Sequence, residues 1–280
     1  MTIDPTLRCP CAGRFLEAAF HYDSPPEGET AFPLEGAGYA RDYGRCTACD
    51  HWFGRHNIPL DGLYSDTYVD ATYGDVDGMV ARLERVLALP PERSDNAARV
   101  ARIVSFAESQ SRSTAPGPGS GTKPRVLDVG AGIGVFPAGM LAAGWDVVAV
   151  EPDPRTVRML RERLGIRAES EDLLELQPAE VGAFDAITFN KVLEHVEDPV
   201  ALLSHSAGFL ADGGFCYVEV PDTAAAAAGP GREEFFIEHH HVFSPVSLGM
   251  LGERSGLHVE RIERLIEPSG KYTVYAFMTR

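Results

Sequence analysis

The chain has no apolar run long enough to cross a bilayer and no cluster of lysines and arginines. The first absence excludes a membrane-spanning helix, which needs roughly 20 consecutive apolar residues. The second argues against a nucleic-acid partner, because phosphate recognition concentrates positive charge. Basic residues are scarce throughout: 25 against 41 acidic ones, a formal net charge of −16. Acidity of that size implies solubility and nothing more specific. The start, Met1-Thr2-Ile3-Asp4-Pro5, lacks the basic and apolar regions of a secretory leader, so a cytoplasmic protein is expected. Cysteine is sparse as well, with five residues in all. In a cytoplasmic chain their clustering favours a metal site over disulfides.

The cysteines are unevenly placed. Four fall near the start, as Cys9-Pro-Cys11 and Cys46-Thr-Ala-Cys49. Two close pairs can give four thiolates to one tetrahedral zinc, which staples a segment too small to build its own core. Cys9, Cys11, Cys46 and Cys49 are therefore the expected ligands of a structural zinc, with His51 and His56 as substitutes. Cys216 sits in an apolar run and reads as a core residue. Hydrophobic residues make up 44% of 280 residues, enough for one full α/β domain and a smaller module. The expected division is a cysteine-rich module over 1–75, a helical connector over 76–108, a flexible linker over 109–123 and the main domain over 124–280. The linker assignment rests on the run from Ser109 to Gly121, rich in Ser, Pro and Gly, which has nothing to bury.

The main domain opens on Val126-Leu127-Asp128-Val129-Gly130-Ala131-Gly132-Ile133-Gly134. An apolar strand runs into three glycines spaced two apart, and glycine lets backbone turn sharply and approach a ligand closely. A second apolar run, Val147 to Val150, ends on Glu151, where a carboxylate can accept both hydroxyls of a ribose. This is a nucleoside-binding βαβ pattern. A dinucleotide site uses a different glycine spacing, with the helix N-terminus turned to a pyrophosphate. The present spacing opposes the alternative of a Rossmann-type oxidoreductase or epimerase. Farther on, Phe184 to Phe189 reads as a strand, Asn190 to Val196 as the loop at its end, and Asp198-Pro199 as the start of a helix. Asp212-Gly213-Gly214 turns into another strand, Phe215 to Pro221. His258 to Ile266 and Tyr272 to Thr279 are expected to form a closing pair of strands.

The glycine loop and "FDAI…LEHV-x-DP…L-x-x-GG…V-x-VP", taken in order, resemble the signature of the Rossmann-like class of S-adenosylmethionine-dependent methyltransferases. The resemblance covers roughly Arg125 to Asp222. It implies a seven-stranded, mostly parallel, doubly wound α/β sheet carrying a small zinc-ribbon-like N-terminal module. It also implies S-adenosylmethionine held by Asp128, Gly130, Gly132, Gly134 and Glu151, with Asp172 near the adenine and Asn190 near the methionine end. A non-catalytic scaffold built on this fold is the alternative from another class, and the intact loop and ribose acid oppose it.

After the last motif comes Phe236-Ile237-Glu238-His239-His240-His241-Val242-Phe243-Ser244. Together with Pro33-Leu34, Cys46-x-x-Cys49, Tyr64 and Tyr68, it resembles the zinc-containing methyltransferases of nucleotide-linked deoxysugars. Phe236 and Ile237 stand where that family has tyrosine and histidine, so Glu238 and His239 carry over as acid–base candidates. The implied acceptor is a small hydroxylated molecule, a sugar or nucleotide-sugar, methylated at oxygen or carbon. A histidine suits a base working near pH 7. His195 competes for that role, although a structural hydrogen bond at the sheet edge is the expectation for it. Leu193-Glu194-His195 resembles a quinone-biosynthesis O-methyltransferase loop that holds a metal with a further acid. Lys191 occupies that acid's position here, so this loop is not expected to bind one.

Overall fold

In a computed structural model of the chain, residues 10, 16–29, 39–56, 76–113 and 123–280 are described. Cys9, Cys11, Pro33, Leu34, Tyr64 and Tyr68 lie outside the described residues. The larger sheet has seven strands in the order β10-β11-β8-β7-β4-β5-β6. They are β4 (Arg125–Val129), β5 (Asp146–Val150), β6 (Arg167–Glu169), β7 (Phe184–Asn190), β8 (Leu210–Pro221), β10 (His258–Ile266) and β11 (Tyr272–Thr279). Only β11 runs against its neighbours, so the expected mostly parallel sheet is the one observed. Strands β4, β5, β7 and β8 are buried along most of their length, as central strands covered on both faces must be.

Helices cover both faces. α1 (Val76–Leu87) and α2 (Asp95–Ser113) bring Met79, Leu83, Ile103 and Phe106 into one core with Met140, Trp145 and Phe277. Phe106 stacks on Phe277 with ring centroids 4.0 Å apart. The helical stretch is thus packed against the sheet, and α2 continues through Ser113 into the segment whose composition suggests a tether. α3 (Val135–Ala142) follows the glycine loop, and α4 (Pro154–Met159) starts on the Asp153 cap. α5 (Pro178–Val181) precedes β7. α6 (Pro199–Ser206) begins at Asp198, whose carboxylate accepts from Ala201 N, the cap that Asp198-Pro199 foretells. α7 (Pro245–Arg254) is capped by Ser244. No helix among the described residues is long and apolar enough to cross a membrane.

The second sheet joins the two ends of the molecule. β1 (Leu16–Tyr22), β2 (Arg41–Cys46) and β3 (Trp52–His56) form an antiparallel meander, completed by β9 (His241–Val242) from the segment after β8. The N-terminal segment therefore does not stand apart as a ribbon with its own core. Its aromatic cluster of Tyr22, Tyr43 and Trp52 closes over Phe235, Val242 and Ala225 from the main domain. Gly54 makes this approach possible, since a Cβ there would sit 2.6 Å from the His239 carbonyl oxygen.

Candidate active site

The parallel strands end at one rim, where a cavity of about 710 Å³ opens. Ligands of such sheets bind outside the carboxyl ends of the strands. The glycine loop between β4 and α3 makes one wall. Gly130, Gly132 and Gly134 all adopt positive φ, at 69°, 49° and 83°. A Cβ on Gly130 would meet Val192 at 2.6 Å, so this loop and the loop after β7 touch backbone to side chain. The two loops leave a narrow cradle that only glycine permits.

Glu151 closes the cradle from the tip of β5. Its carboxylate accepts from Gly132 N at 2.8 Å and from Asp153 N at 3.3 Å. Asp128 lies beneath, accepting from Thr188 Oγ1 at 2.7 Å and Asn190 Nδ2 at 2.9 Å. Burial pushes its carboxyl up to about 7, against the pull of those two hydrogen bonds. A cationic ligand group beside Asp128 would return it to the charged form. Asp172 also lines the cavity, with its carboxylate accepting from Leu174 N. All seven residues expected at the cofactor are thus together, except that Gly134 serves as the cap of α3 instead of lining the space. A nucleoside bearing an amino-acid tail would fit these groups: close backbone approach at the glycine loop, a carboxylate able to accept from ribose hydroxyls and a second able to accept from an ammonium.

Glu194, His195, Glu238 and His239 also line the cavity. His195 Nδ1 donates to the Glu238 carbonyl oxygen at 2.9 Å, and His239 Nδ1 to that of Glu234 at 3.0 Å. The two rings meet edge to face with centroids 4.8 Å apart. Burial holds both imidazoles below their usual range, His239 well below it, so both are neutral near pH 7. A Glu194 oxygen and a nitrogen of each ring lie within 4.8 Å of one another, a donor set of the kind that holds a divalent ion. His195 makes a structural hydrogen bond of the expected kind, tying the loop after β7 to the segment after β8, and its ring also lines the cavity. His240 is not in the cavity wall and stacks on His56 instead.

Several site residues carry no local signal in the sequence. Arg82 and Arg99 reach the cavity from α1 and α2, and Gly28 from the segment after β1. Glu219 on β8 is fully buried under the floor, where Arg99 Nε donates to it at 3.0 Å and Tyr217 Oη at 2.7 Å. Burial alone would raise its carboxyl, but Arg99 and Lys191 hold it well below the usual range. Such nonlocal pairs leave no spacing to read. The left-handed backbone of Lys191, with φ of 62°, is likewise invisible in sequence.

Of the four expected zinc ligands, Cys46 and Cys49 are among the described residues and Cys9 and Cys11 lie outside them. Cys46 and Cys49 are buried and set on one tight turn, where Asp50 N donates to the Cys46 carbonyl oxygen at 2.8 Å. Their arrangement suits one half of a thiolate site. His51 does not serve as a substitute ligand. Its two ring nitrogens are taken by Ser247 Oγ at 3.1 Å and His241 Nδ1 at 3.0 Å.

Comparison with known proteins bears on this geometry. The sequence profile described as a methyltransferase domain matches residues 85–262. The chain belongs to that methyltransferase domain family. A ubiquinone biosynthesis O-methyltransferase of Xanthomonas campestris pv. campestris is 36% identical over 111 residues. That match covers 37% of this chain, which spans 45% of the relative's length. Among solved structures, 1,6-didemethyltoxoflavin-N1-methyltransferase of Burkholderia thailandensis superposes with a TM-score of 0.51 at 21% identity, over 84% of this chain and 98% of that one. Magnesium protoporphyrin IX methyltransferase of Synechocystis PCC 6803 gives 0.52 at 15% identity, over 79% and 97%. These two show the methyltransferase fold.

Proposed function

We propose that this methyltransferase moves the methyl group of S-adenosylmethionine to a hydroxyl of a small acceptor, with a sugar or nucleotide-sugar as the favoured class. One observation carries the reading: the glycine-loop cradle and the Glu194, His195, Glu238 and His239 wall line one continuous cavity. S-adenosylmethionine supplies an electrophilic methyl on a sulfonium. Gly130, Gly132 and Glu151 would hold its nucleoside, and Asp128 with Asn190 its amino-acid end. The acceptor then lies against that second wall, where its proton passes into the cluster formed by Glu194, His195 and His239, with Glu238 behind. Direct displacement needs a straight line from nucleophile through methyl to sulfur, so alignment by the two walls provides most of the acceleration. The name of the Xanthomonas relative supports oxygen as the accepting atom. The resemblance of the Glu238-His239 segment to sugar methyltransferases supports the acceptor class. A structural zinc on Cys9, Cys11, Cys46 and Cys49 belongs to the same reading and takes no part in the chemistry.

The test is mass spectrometry of a metabolite extract incubated with the enzyme and methyl-labelled cofactor. A labelled hydroxylated product is the expected result. Label on amines alone, or on nothing in the extract, would count against the reading.

A further inference from the structure

Taken alone, the loop after β7 offers a metal ion only two donors, the adjacent Glu194 and His195. The fold supplies a third from elsewhere. His239, on the segment after β8, brings a ring nitrogen to a place where it, a Glu194 oxygen and a His195 nitrogen all lie within 4.8 Å of one another. All three residues line the cavity. Donors held about 2.1 Å from one ion stand at most about 4.2 Å apart. Glu194 Oε1 and His195 Nε2 are already 3.9 Å apart, inside that limit. The whole set needs a closing rotation of roughly half an ångström to meet it.

Two further observations separate a ligand set from a lone base. The first is how the rings are held. His195 Nδ1 and His239 Nδ1 each meet a backbone carbonyl oxygen, at 2.9 Å and 3.0 Å. A carbonyl oxygen only accepts, so each Nδ1 carries the hydrogen and each neutral ring keeps its lone pair on Nε2. Histidines that bind metals are oriented in this way, with the other ring N–H given to a carbonyl or carboxylate. A general base needs one such ring, whereas here two rings from different segments are fixed in the same tautomer beside one carboxylate. The second observation is that carboxylate. Glu194 is fully buried, and among the described residues neither of its oxygens has a hydrogen-bond partner. Buried acceptors are rarely left without donors. Lys191 does not fill the need: its ammonium donates to Thr273 Oγ1 at 2.7 Å and lies 3.9 Å from the Glu219 carboxylate.

We propose that Glu194, His195 and His239 bind a divalent transition-metal ion in the cavity wall. Two imidazoles and one carboxylate form a mixed set that suits Mn²⁺, Fe²⁺ or Zn²⁺ better than Mg²⁺ or Ca²⁺, which take oxygen donors. This site is distinct from the cysteine zinc, because it shares no residue with it. Three protein donors leave further coordination positions, which water or an oxygen of the acceptor fills. An oxygen bound to such an ion gives up its proton more readily, as metal-bound water does. That role rests on the methyltransferase reading, whereas the binding of the ion does not.

The test needs no acceptor and uses Mn²⁺ as the probe, since imidazole and carboxylate suit it while four thiolates favour zinc. The full-length protein, saturated with S-adenosylhomocysteine, is titrated with manganese chloride, and electron paramagnetic resonance counts the free ion. The expected result is saturable binding of about one Mn²⁺ per chain, the number a single three-donor site holds. Spin-echo modulation of the bound ion should show two imidazole nitrogens. Glu194→Gln and His239→Ala should each weaken binding by about 10–100-fold or more. The ion that His239→Ala still binds should show one imidazole, and His240→Ala, outside the set, should match the wild type. An unchanged dissociation constant for S-adenosylhomocysteine shows that a variant is folded. Where a variant loses that affinity, the nitrogen modulation of the wild type decides alone. Mn²⁺ that fails to saturate, that shows no imidazole nitrogen, or that binds both folded variants as tightly as the wild type overturns the proposal. An extract without labelled product defeats the functional reading instead, and the Mn²⁺ titration still decides the site.

Discussion

At the scale of single residues, Glu151 has the most sharply defined task. Two backbone N–H groups fix its carboxylate, one from the glycine loop and one from the turn after β5. Each oxygen accepts one bond and keeps a second lone pair, as a pair of vicinal hydroxyls requires, and Glu151 lines the cavity. Glu151→Ala should weaken S-adenosylmethionine binding by about 1–3 kcal/mol, the worth of a charged acceptor lost from two hydroxyls. Calorimetry reads this directly, and an unchanged dissociation constant would remove Glu151 from the ribose. The three consecutive histidines differ by the same logic of position. His239 is in the cavity wall and His240 is not. His239→Ala should cost about tenfold in turnover, roughly one hydrogen bond to the reacting group, with cofactor affinity intact. His240→Ala should leave turnover as it is. Equal effects of the two would show that the segment acts only as packing.

At the scale of elements, the sequence is informative wherever the physics is local. Strands β4, β5 and β7 are short apolar runs, the Asp198-Pro199 cap is a two-residue signal, and the β10–β11 pair is marked by the turn from Glu267 to Gly270. The cofactor wall is legible for the same reason, because its loop is one contiguous motif. The acceptor wall is only half legible. Glu238, His239 and the Glu194-His195 pair stand out by motif, but the closeness of Glu194 and His195 to His239 exists only in the fold, and Lys191 takes its setting from its backbone and from Thr273 on β11. Those facts exist only once distant strands are paired. The docking of the N-terminal hairpin on the His239 segment is equally unreadable. It depends on Tyr43, whose hydroxyl donates to the His239 carbonyl oxygen at 2.6 Å, and on Gly54 N, which donates to that of His240 at 2.9 Å. A loop-level prediction follows from the tightest contact. Gly130→Ala combines a positive φ with a Cβ 2.6 Å from Val192, so it should abolish detectable cofactor binding. Adding Val192→Ala relieves the clash but not the backbone strain, and should restore binding only in part. Full restoration would mean that the glycine serves space alone.

At the scale of the whole molecule, the two sheets are coupled through one segment. Arg41 and Glu29 form a buried ion pair at 2.7 Å under the meander. Arg41 also donates to the Phe235 carbonyl oxygen, and Glu29 accepts from Ile237 N at 2.8 Å. With Tyr43 and Gly54, these bonds run from the N-terminal sheet to the chain just before and through His239. The turn bearing Cys46 and Cys49 is the far end of the same meander, and the Cys49 carbonyl oxygen accepts from Ser244 Oγ at the start of α7. A zinc held by those thiolates would therefore brace the acceptor wall from a distance, with no open position for water and no chemistry of its own. The expected content is about one tightly bound zinc per chain, the number a closed four-thiolate site holds. Cys46→Ser should lose it, loosen the meander and lower turnover, while cofactor affinity stays near that of the wild type because the glycine loop lies elsewhere in the cavity wall. Elemental analysis and hydrogen exchange on the same preparations check both halves. Zinc absent from the wild type would reject the site, and a Cys46→Ser protein that loses cofactor binding as readily as turnover would show that the meander supports the entire fold and not one wall of the cavity.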